Sequence, residues 1–143
     1  MQTVDMKLEV VTVPVSDVDR AKSFYESLGW RLDIDLVVSD DVRNVQFTPP
    51  HSECSIHVGK GLTPMEPGSL DRLLLAVEDV DAARDDLISR GVDVSEVAEN
   101  KPPGFESVEG RSYFAQATFS DPDGNGWVLQ EITERLPGRE WED

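Results

Sequence analysis

Two histidines and one cysteine occur in the 143 residues, so the side chains able to do acid–base, nucleophilic or metal chemistry are few. His57 interrupts an apolar alternation, Cys54, Ile56 and Val58, that reads as a strand with the imidazole on the opposite face from the apolar set. Glu131 and Tyr113 are the other side chains a proton transfer could use with it, although Glu131, on the opposite strand face, reads better as a strand-end carboxylate. Asp121-x-Asp123-x-Asn125-Gly126 opens like a calcium loop, but Ile132 stands where the loop needs a glutamate, and Pro122 and a strand replace the flanking helix. Calcium is therefore excluded, and the glycines are those of a tight turn that needs positive φ. There is no nucleophile elbow, P-loop, Gly-x-Gly-x-x-Gly or pair of histidines at helical spacing. A single cysteine forbids an internal disulfide or a multi-cysteine metal cluster and fits a cytoplasmic protein.

The elements that must position these groups are written twice. Val15-Ser16-Asp17-Val18-Asp19-Arg20-Ala21, closing at Leu28-Gly29, returns as Val77-Glu78-Asp79-Val80-Asp81-Ala82-Ala83, closing at Arg90-Gly91. Asp17 to Asp79 and Gly29 to Gly91 are both 62 residues apart, so one supersecondary unit is used twice. In the first copy a β-branched strand over 8–15 leads into a helix over 18–28, capped by Ser16 or Asp17 and stopped by Gly29. Three extended segments follow, near 30–38, 42–48 and 54–58. The second copy repeats this with strands near 70–77, 92–97, 112–120 and 126–132 and a helix over 80–89. The fold class is α+β: two βαβββ units, about 7–59 and 70–133, in one domain over 1–143, with curved sheets around a groove and helices outside.

Phe47 and Phe119 align at a spacing of 72 residues, so ten extra residues enter the second copy between about Asn100 and Phe114. That stretch has two prolines, two glycines and no apolar period, and is expected to be a long loop, with the excess confined to Glu99–Arg111 and able to act as a lid.

Strand alternation then sorts the faces. Val11, Val13 and Val15, with Leu73, Leu75 and Val77, suit the helix side, as do Val45, Phe47, Ala117 and Phe119. The free faces receive Val10, Thr12, Arg72 and Leu74 from the first strands, and Asn44, Gln46, Gln116 and Thr118 from the third. Amides and hydroxyls with apolar walls and one arginine suit a neutral or anionic organic molecule. For the fourth strand two registers remain open. Cys54, Ile56 and Val58 as the helix-facing set put His57 in the groove, whereas pairing Ile56 with Val128 across the repeat turns His57 away.

The formal charge is −16, from 29 acidic and 13 basic residues, which disfavours nucleic acid. The longest apolar run, Leu73 to Val77, is too short to span a bilayer, and the amino terminus lacks the features of a signal peptide. No membrane partner is expected.

Taken together, Val-x-Asp-Val-x-x-Ala after a strand, Phe24-Tyr25, Leu28-Gly29-Trp30 and Phe119-Ser120-Asp121-Pro122-Asp123-Gly124-Asn125-Gly126-Trp127 resemble the vicinal oxygen chelate superfamily, which includes glyoxalase I, extradiol dioxygenases and bleomycin resistance proteins. In its metal-dependent members ligands project from the first and fourth strands of each unit. The resemblance carries those positions onto Val10, Arg72, Val128 and Ile56, none of which is an ordinary ligand. It implies a member without metal or other cofactor that binds a small organic molecule through Val10, Thr12, Gln46, His57, Arg72, Leu74, Gln116, Thr118 and Val128, with Arg72 as the polar anchor. It also implies homodimerisation. Whether the chain is an enzyme stays open: a lyase, isomerase or dioxygenase using His57, with or without metal, is the alternative, and a structural subunit with a vestigial groove is a third.

Overall fold

Each helix begins where an aspartate in extended conformation precedes its apolar stripe. Asp17 accepts the Arg20 N–H and Asp79 the Ala82 N–H, both at 3.1 Å, satisfying N–H groups that have no partner in the first turn. The helices end at Gly29 (φ 82°) and Gly91 (φ 89°), a left-handed conformation that glycine adopts without a Cβ penalty.

The computed structural model describes residues 2–135 and Arg139. Its backbone divides into two units, one running to Leu70 and including Asp121–Asn125, the other comprising Asp71–Ser120 and the chain from Gly126. The first unit holds β1 (Val10–Thr12), α1 (Val18–Ser27), β2 (Arg31–Val37), β3 (Arg43–Thr48) and β4 (Ser55–Lys60), in sheet order β1-β4-β3-β2. The second holds β5 (Leu73–Val77), α2 (Val80–Ser89), β6 (Ala98–Glu99), β7 (Ala115–Ser120) and β8 (Gly126–Glu131), in order β5-β8-β7-β6. In both, the first strand pairs parallel with the fourth and the other pairings are antiparallel. The fold is the expected pair of α+β βαβββ units.

Two strands depart most from the sequence pattern, β1 by its shortness and β6 by lying beyond the expected 92–97. β1 is paired only from Val10, opposite Ser55 at the start of β4, and Leu8 beyond it is exposed. In the second unit Val92 and Val94 are buried, yet residues 92–97 form no ladder. There Ser95 meets β7 at one point, its N–H donating to the Thr118 carbonyl at 2.9 Å and its hydroxyl, in place of a backbone carbonyl, accepting the Thr118 N–H at 2.8 Å.

The first core centres on Tyr25, fully buried between Trp30 and Phe47 at centroid separations of 5.4 and 6.0 Å. In the second, Phe119 stacks on Trp127 with an interplanar angle of 8°. Burying rings of this size contributes about 1.5–3 kcal/mol each.

The fourth strands decide the register left open by sequence. Phe47 pairs with Ile56, nine residues on, and Phe119 with Trp127, eight residues on. Ile56 is therefore the counterpart of Trp127, not of Val128, and its side chain is buried on the α1 face. His57 is the counterpart of Val128, since Thr12 pairs with His57 as Leu74 pairs with Val128. One extra residue in the β3–β4 connection turned every later side chain of β4 to the opposite face from the 72-residue alignment.

The Asp-Pro-Asp-Gly-Asn turn does more than reverse the chain. Asp121 and Asn125 are buried. The Asp121 carboxylate accepts from the Tyr25 hydroxyl at 2.9 Å, from the Asn125 side-chain amide at 2.8 Å, and from the backbone N–H groups of Asp123 and Asn125 at 3.0 and 2.9 Å. Asn125 also donates to the Pro14 carbonyl at 2.8 Å and accepts the Leu70 N–H at 3.1 Å, while Asp123 accepts the Ser16 N–H at 3.1 Å. Asp121→Ala leaves several buried donors unpaired and is expected to cost on the order of 3 kcal/mol, against about 1 kcal/mol for Tyr25→Phe. Urea unfolding of the two variants measures the difference, and equal midpoints would refute it.

On the α1 side of the first sheet, Arg43 bridges Asp35 and Asp19 at 2.8 Å each, and Lys22 reaches Asp35 at 2.9 Å. Hydrogen bonds from Arg43 and then Lys22 hold the Asp35 carboxyl well below the usual range, against the opposing effect of burial. Because the folded-state pKa is depressed, this contribution is complete above the ordinary carboxylate value near pH 4 and disappears as pH falls through that range and below. Asp35→Asn is therefore expected to flatten the loss of stability between about pH 5 and pH 2, as measured by thermal melts across that range. A profile parallel to the wild type would contradict this.

Candidate functional site

The face of the first sheet opposite α1 carries a row of Thr12, His57, Gln46 and Ile34, set by consecutive pairings. Thr12, His57 and Gln46 are half-buried, as is Val10 at the row's edge. Hydrogen bonds organise this face around a residue whose importance the sequence did not reveal, Asp33. A register shift between Leu32 and Ile34 brings the Asp33 carboxylate to this side, where it accepts from the Gln46 amide at 3.0 Å and from the Thr48 hydroxyl and Arg31. Ser55 in turn bonds Thr48 at 2.6 Å. Burial raises the Asp33 pKa, but the bonds from Thr48, Gln46 and Arg31 together outweigh it and the net shift is downward, so the carboxylate is ionised at neutral pH. The Gln46 carbonyl oxygen then faces His57 Nε2 at 2.8 Å. Two residues along β3, the side-chain oxygen of Asn44 is buried without a hydrogen-bond partner among the described residues, a loss of about 1–3 kcal/mol unless a ligand or water supplies a donor.

The corresponding face of the second sheet is largely apolar. Leu74, Val128 and Thr118 share one row, and Ala76, Gln130, Gln116 and Ala98 the next. Leu74 and Thr118 are exposed, Gln116 is half-buried and Val128 is 2 % exposed. Arg72 lies just before β5 with φ 60°, and it is exposed and makes no ion pair with any described residue. It is not a buried cation awaiting a counter-ion.

The long loop of the second unit falls where the repeat alignment put it, between β6 and β7. It is built on aromatic contacts: Phe105 and Phe114 lie 6.2 Å apart, and the Lys101 ammonium sits 5.6 Å from the Phe114 ring centroid. Pro102, Phe105, Val108, Tyr113, Phe114 and Gln116 line a cleft of about 600 Å³, within the range of small-molecule sites. Phe105 and Val108 are 48 % and 42 % exposed and so lie outside the core. A second cavity, of about 520 Å³, lies in the first unit beside the start of α1, lined by Arg43, Lys60, Leu62 and Met65, but Arg43 is committed there to its own carboxylates.

Arg111 fastens the end of the loop. Its guanidinium meets Asp81 in the first turn of α2 at 2.9 Å and Glu131 at 3.6 Å. Glu131 also accepts the Val80 N–H at 3.2 Å, so this buried carboxylate serves the start of α2, as its strand-end reading implied. Arg111→Gln is expected to speed chymotryptic cleavage at Phe105 several-fold, because the opened loop is the cleaved species. Unchanged cleavage kinetics would show that Arg111 does not hold the loop.

The residues present do not fit the divalent metal of the superfamily's metal-dependent members. Val10 and Val128 offer no lone pair, Arg72 is cationic, and His57, which takes the fourth-strand position in place of Ile56, has Thr12 and Gln46 beside it. Among the described residues no group of three or more His, Cys, Asp or Glu side chains could hold a metal ion.

A repeated βαβββ unit whose free faces carry amides, hydroxyls and apolar side chains instead of a metal-ligand set defines a metal-site-deficient form of the paired-βαβββ class. The chain belongs to the glyoxalase/bleomycin resistance protein/dioxygenase superfamily, whose family model matches residues 7–129. Among solved structures it is similar to TnmS3, an antibiotic binding protein from Streptomyces sp. CB03234, with 36% identity, a TM-score of 0.71, and 92% of this chain and 99% of that one covered. A glyoxalase/bleomycin resistance protein from the same organism is also 36% identical, with a TM-score of 0.68 and coverage of 87% and 100%. A superfamily member from Sphaerobacter thermophilus is 27% identical, with a TM-score of 0.70 and coverage of 89% and 98%. No curated protein matches the chain significantly. Among the described residues no helix is long and apolar enough to cross a membrane.

Proposed function

We propose that this protein binds a small, largely aromatic organic molecule and holds it unchanged, without a metal, as a sequestering or resistance protein does. The observation that carries this reading is the cleft lined by Phe105, Phe114 and Tyr113, with Asn100, Gln116, Glu109 and Glu134 among its polar groups, where rings supply contact area and polar groups supply orientation. The similarity to an antibiotic binding protein at 36% identity supports it. We assign ligand contacts to each unit by itself: Val10, Thr12, Gln46 and His57 on the free face of the first sheet, and Leu74, Gln116, Thr118 and Val128 on that of the second. Arg72, being exposed, acts as an attracting rim charge rather than a buried anchor. On this reading the protein works in the cytoplasm with Cys54 reduced. A second copy covers the exposed Val37 and Val38 at the end of β2.

Titration calorimetry against a panel of polycyclic aromatic antibiotics tests the reading. Micromolar or tighter binding that survives chelator treatment is expected, and Phe105→Ala should weaken it about tenfold, equivalent to about 1.4 kcal/mol. Absence of binding across the panel, or binding that vanishes with chelator, would overturn it. The second reading, a lyase, isomerase or dioxygenase using His57, is favoured by the Asp33–Gln46–His57 series of hydrogen bonds. It is distinguished by consumption of the bound compound.

A further inference from the structure

The hydrogen bonds on the free face of the first sheet run in one direction. The Asp33 carboxylate is acceptor-only, so the group of Gln46 that faces it at 3.0 Å is the amide NH2. Rotating that amide would set its carbonyl oxygen against the carboxylate. The Gln46 oxygen is thereby turned toward His57 at 2.8 Å, and it can only accept. His57 Nε2 must carry the proton, and in the neutral ring Nδ1 keeps its lone pair. Nδ1 has no hydrogen-bond partner among the described residues, and the imidazole is half-buried rather than freely hydrated.

A second acceptor lies on the same face. Asn44 precedes Gln46 by two residues on β3 and pairs with Gly59, two residues beyond His57 on β4, so Asn44 and His57 are diagonal neighbours on one side of the sheet. The Asn44 side-chain oxygen is buried and has no hydrogen-bond partner among the described residues. Beside these acceptors, Ile34 opposite Gln46 and Leu36 opposite Asn44 are 40 % and 49 % exposed. Two unpaired acceptors next to an open apolar strip complement a flat apolar body bearing a donor.

We propose that His57 Nδ1 and the Asn44 oxygen form a hydrogen-bond-accepting subsite that selects ligands carrying a hydroxyl or N–H donor on an aromatic body, with Asp33 and Gln46 as positioning residues that fix the histidine tautomer. This rests on the small-molecule reading above and specifies the class of molecule. The subsite discriminates because a ligand lacking the donor leaves the acceptors dry and unpaired, and such sites reject the deprived analogue far more strongly than apolar pockets reject a change of size. A phenol meets the requirement, and its methyl ether, of nearly the same shape, does not.

Naphthol and methoxynaphthalene are suitable probes, with affinities measured by NMR titration and calorimetry on the wild type, His57→Phe and Gln46→Met. The wild type is expected to prefer naphthol at least about tenfold. That preference should fall to about twofold or less in His57→Phe, which keeps the apolar contact area, and should be reduced in Gln46→Met, where the tautomer is no longer fixed. Far-UV circular dichroism establishes that each variant is folded. Long-range proton–nitrogen correlation spectra of the unliganded wild type read the tautomer directly, and Nε2–H is expected, moving toward a mixture in Gln46→Met. An Nδ1–H tautomer in the wild type, or an unchanged preference in folded His57→Phe, would overturn the proposal. Equal wild-type affinity for both probes would also overturn it while leaving the small-molecule reading intact, and failure to bind either probe as well as the antibiotic panel would remove both.

Discussion

A buried carboxylate is tolerated only when its lone pairs are filled, and Asp121 fills its own from four donors: the Tyr25 hydroxyl, two backbone N–H groups of its own turn and the Asn125 amide. The constraint propagates. Tyr25 is fixed at the centre of the first core between Trp30 and Phe47. Asn125, once oriented, binds the Pro14 carbonyl and the Leu70 N–H, and Asp123 binds Ser16 just before the Asp17 cap. The position of α1, and through it the face of the first sheet left uncovered, follows from one satisfied charge.

The repeat preserves architecture while the chemistry of its halves diverges, and the cause is small. A β3–β4 connection one residue longer than that between β7 and β8 places His57 where the second unit has Val128. The register shift in β2 then brings Asp33 to the same side. One face thus gains an ordered series of polar groups, whereas the other keeps leucine, valine and alanine around Gln116 and Thr118. Metal binding needs several donors converging on one point. This arrangement supplies a single imidazole already paired with an amide, which suits recognition by hydrogen bonding.

The long loop of the second unit adds apolar contact area without adding to a core. Its rings pack on one another and on Lys101, and Arg111 anchors it to the start of α2. Exposed segments of this kind are the ones that open most readily, which on the small-molecule reading proposed above suits the margin of a site. Backbone strain lies close by. Tyr113 adopts φ 70° where the loop enters β7, an uncommon conformation for a bulky side chain, held by a 2.8 Å bond from its N–H to the Glu131 carbonyl.

Local physics made much of the fold legible in the residues themselves. The Asp17 and Asp79 caps, the Gly29 and Gly91 stops and the alternation of Val45, Phe47, Ala117 and Phe119 each depend on a few adjacent residues, so both helices, the repeat and the inserted loop could be read directly. Gln46, Gln116 and Thr118 were assignable to the free faces for the same reason. Three things depended on distant partners. The register of β4 turned on which residue of a hairpin pairs with which, and repeat spacing misjudged it by one. Asp33 became the organiser of the first face only through a register shift whose effect is felt at Gln46 and Thr48, thirteen and fifteen residues away. Arg72, aligned with a strand position, has left-handed backbone and sits in solvent. Sequence determined what is set by neighbours along the chain, and tertiary structure decided what is set by neighbours across the sheet, because a side chain's face and its hydrogen-bond partner exist only once the strands are paired.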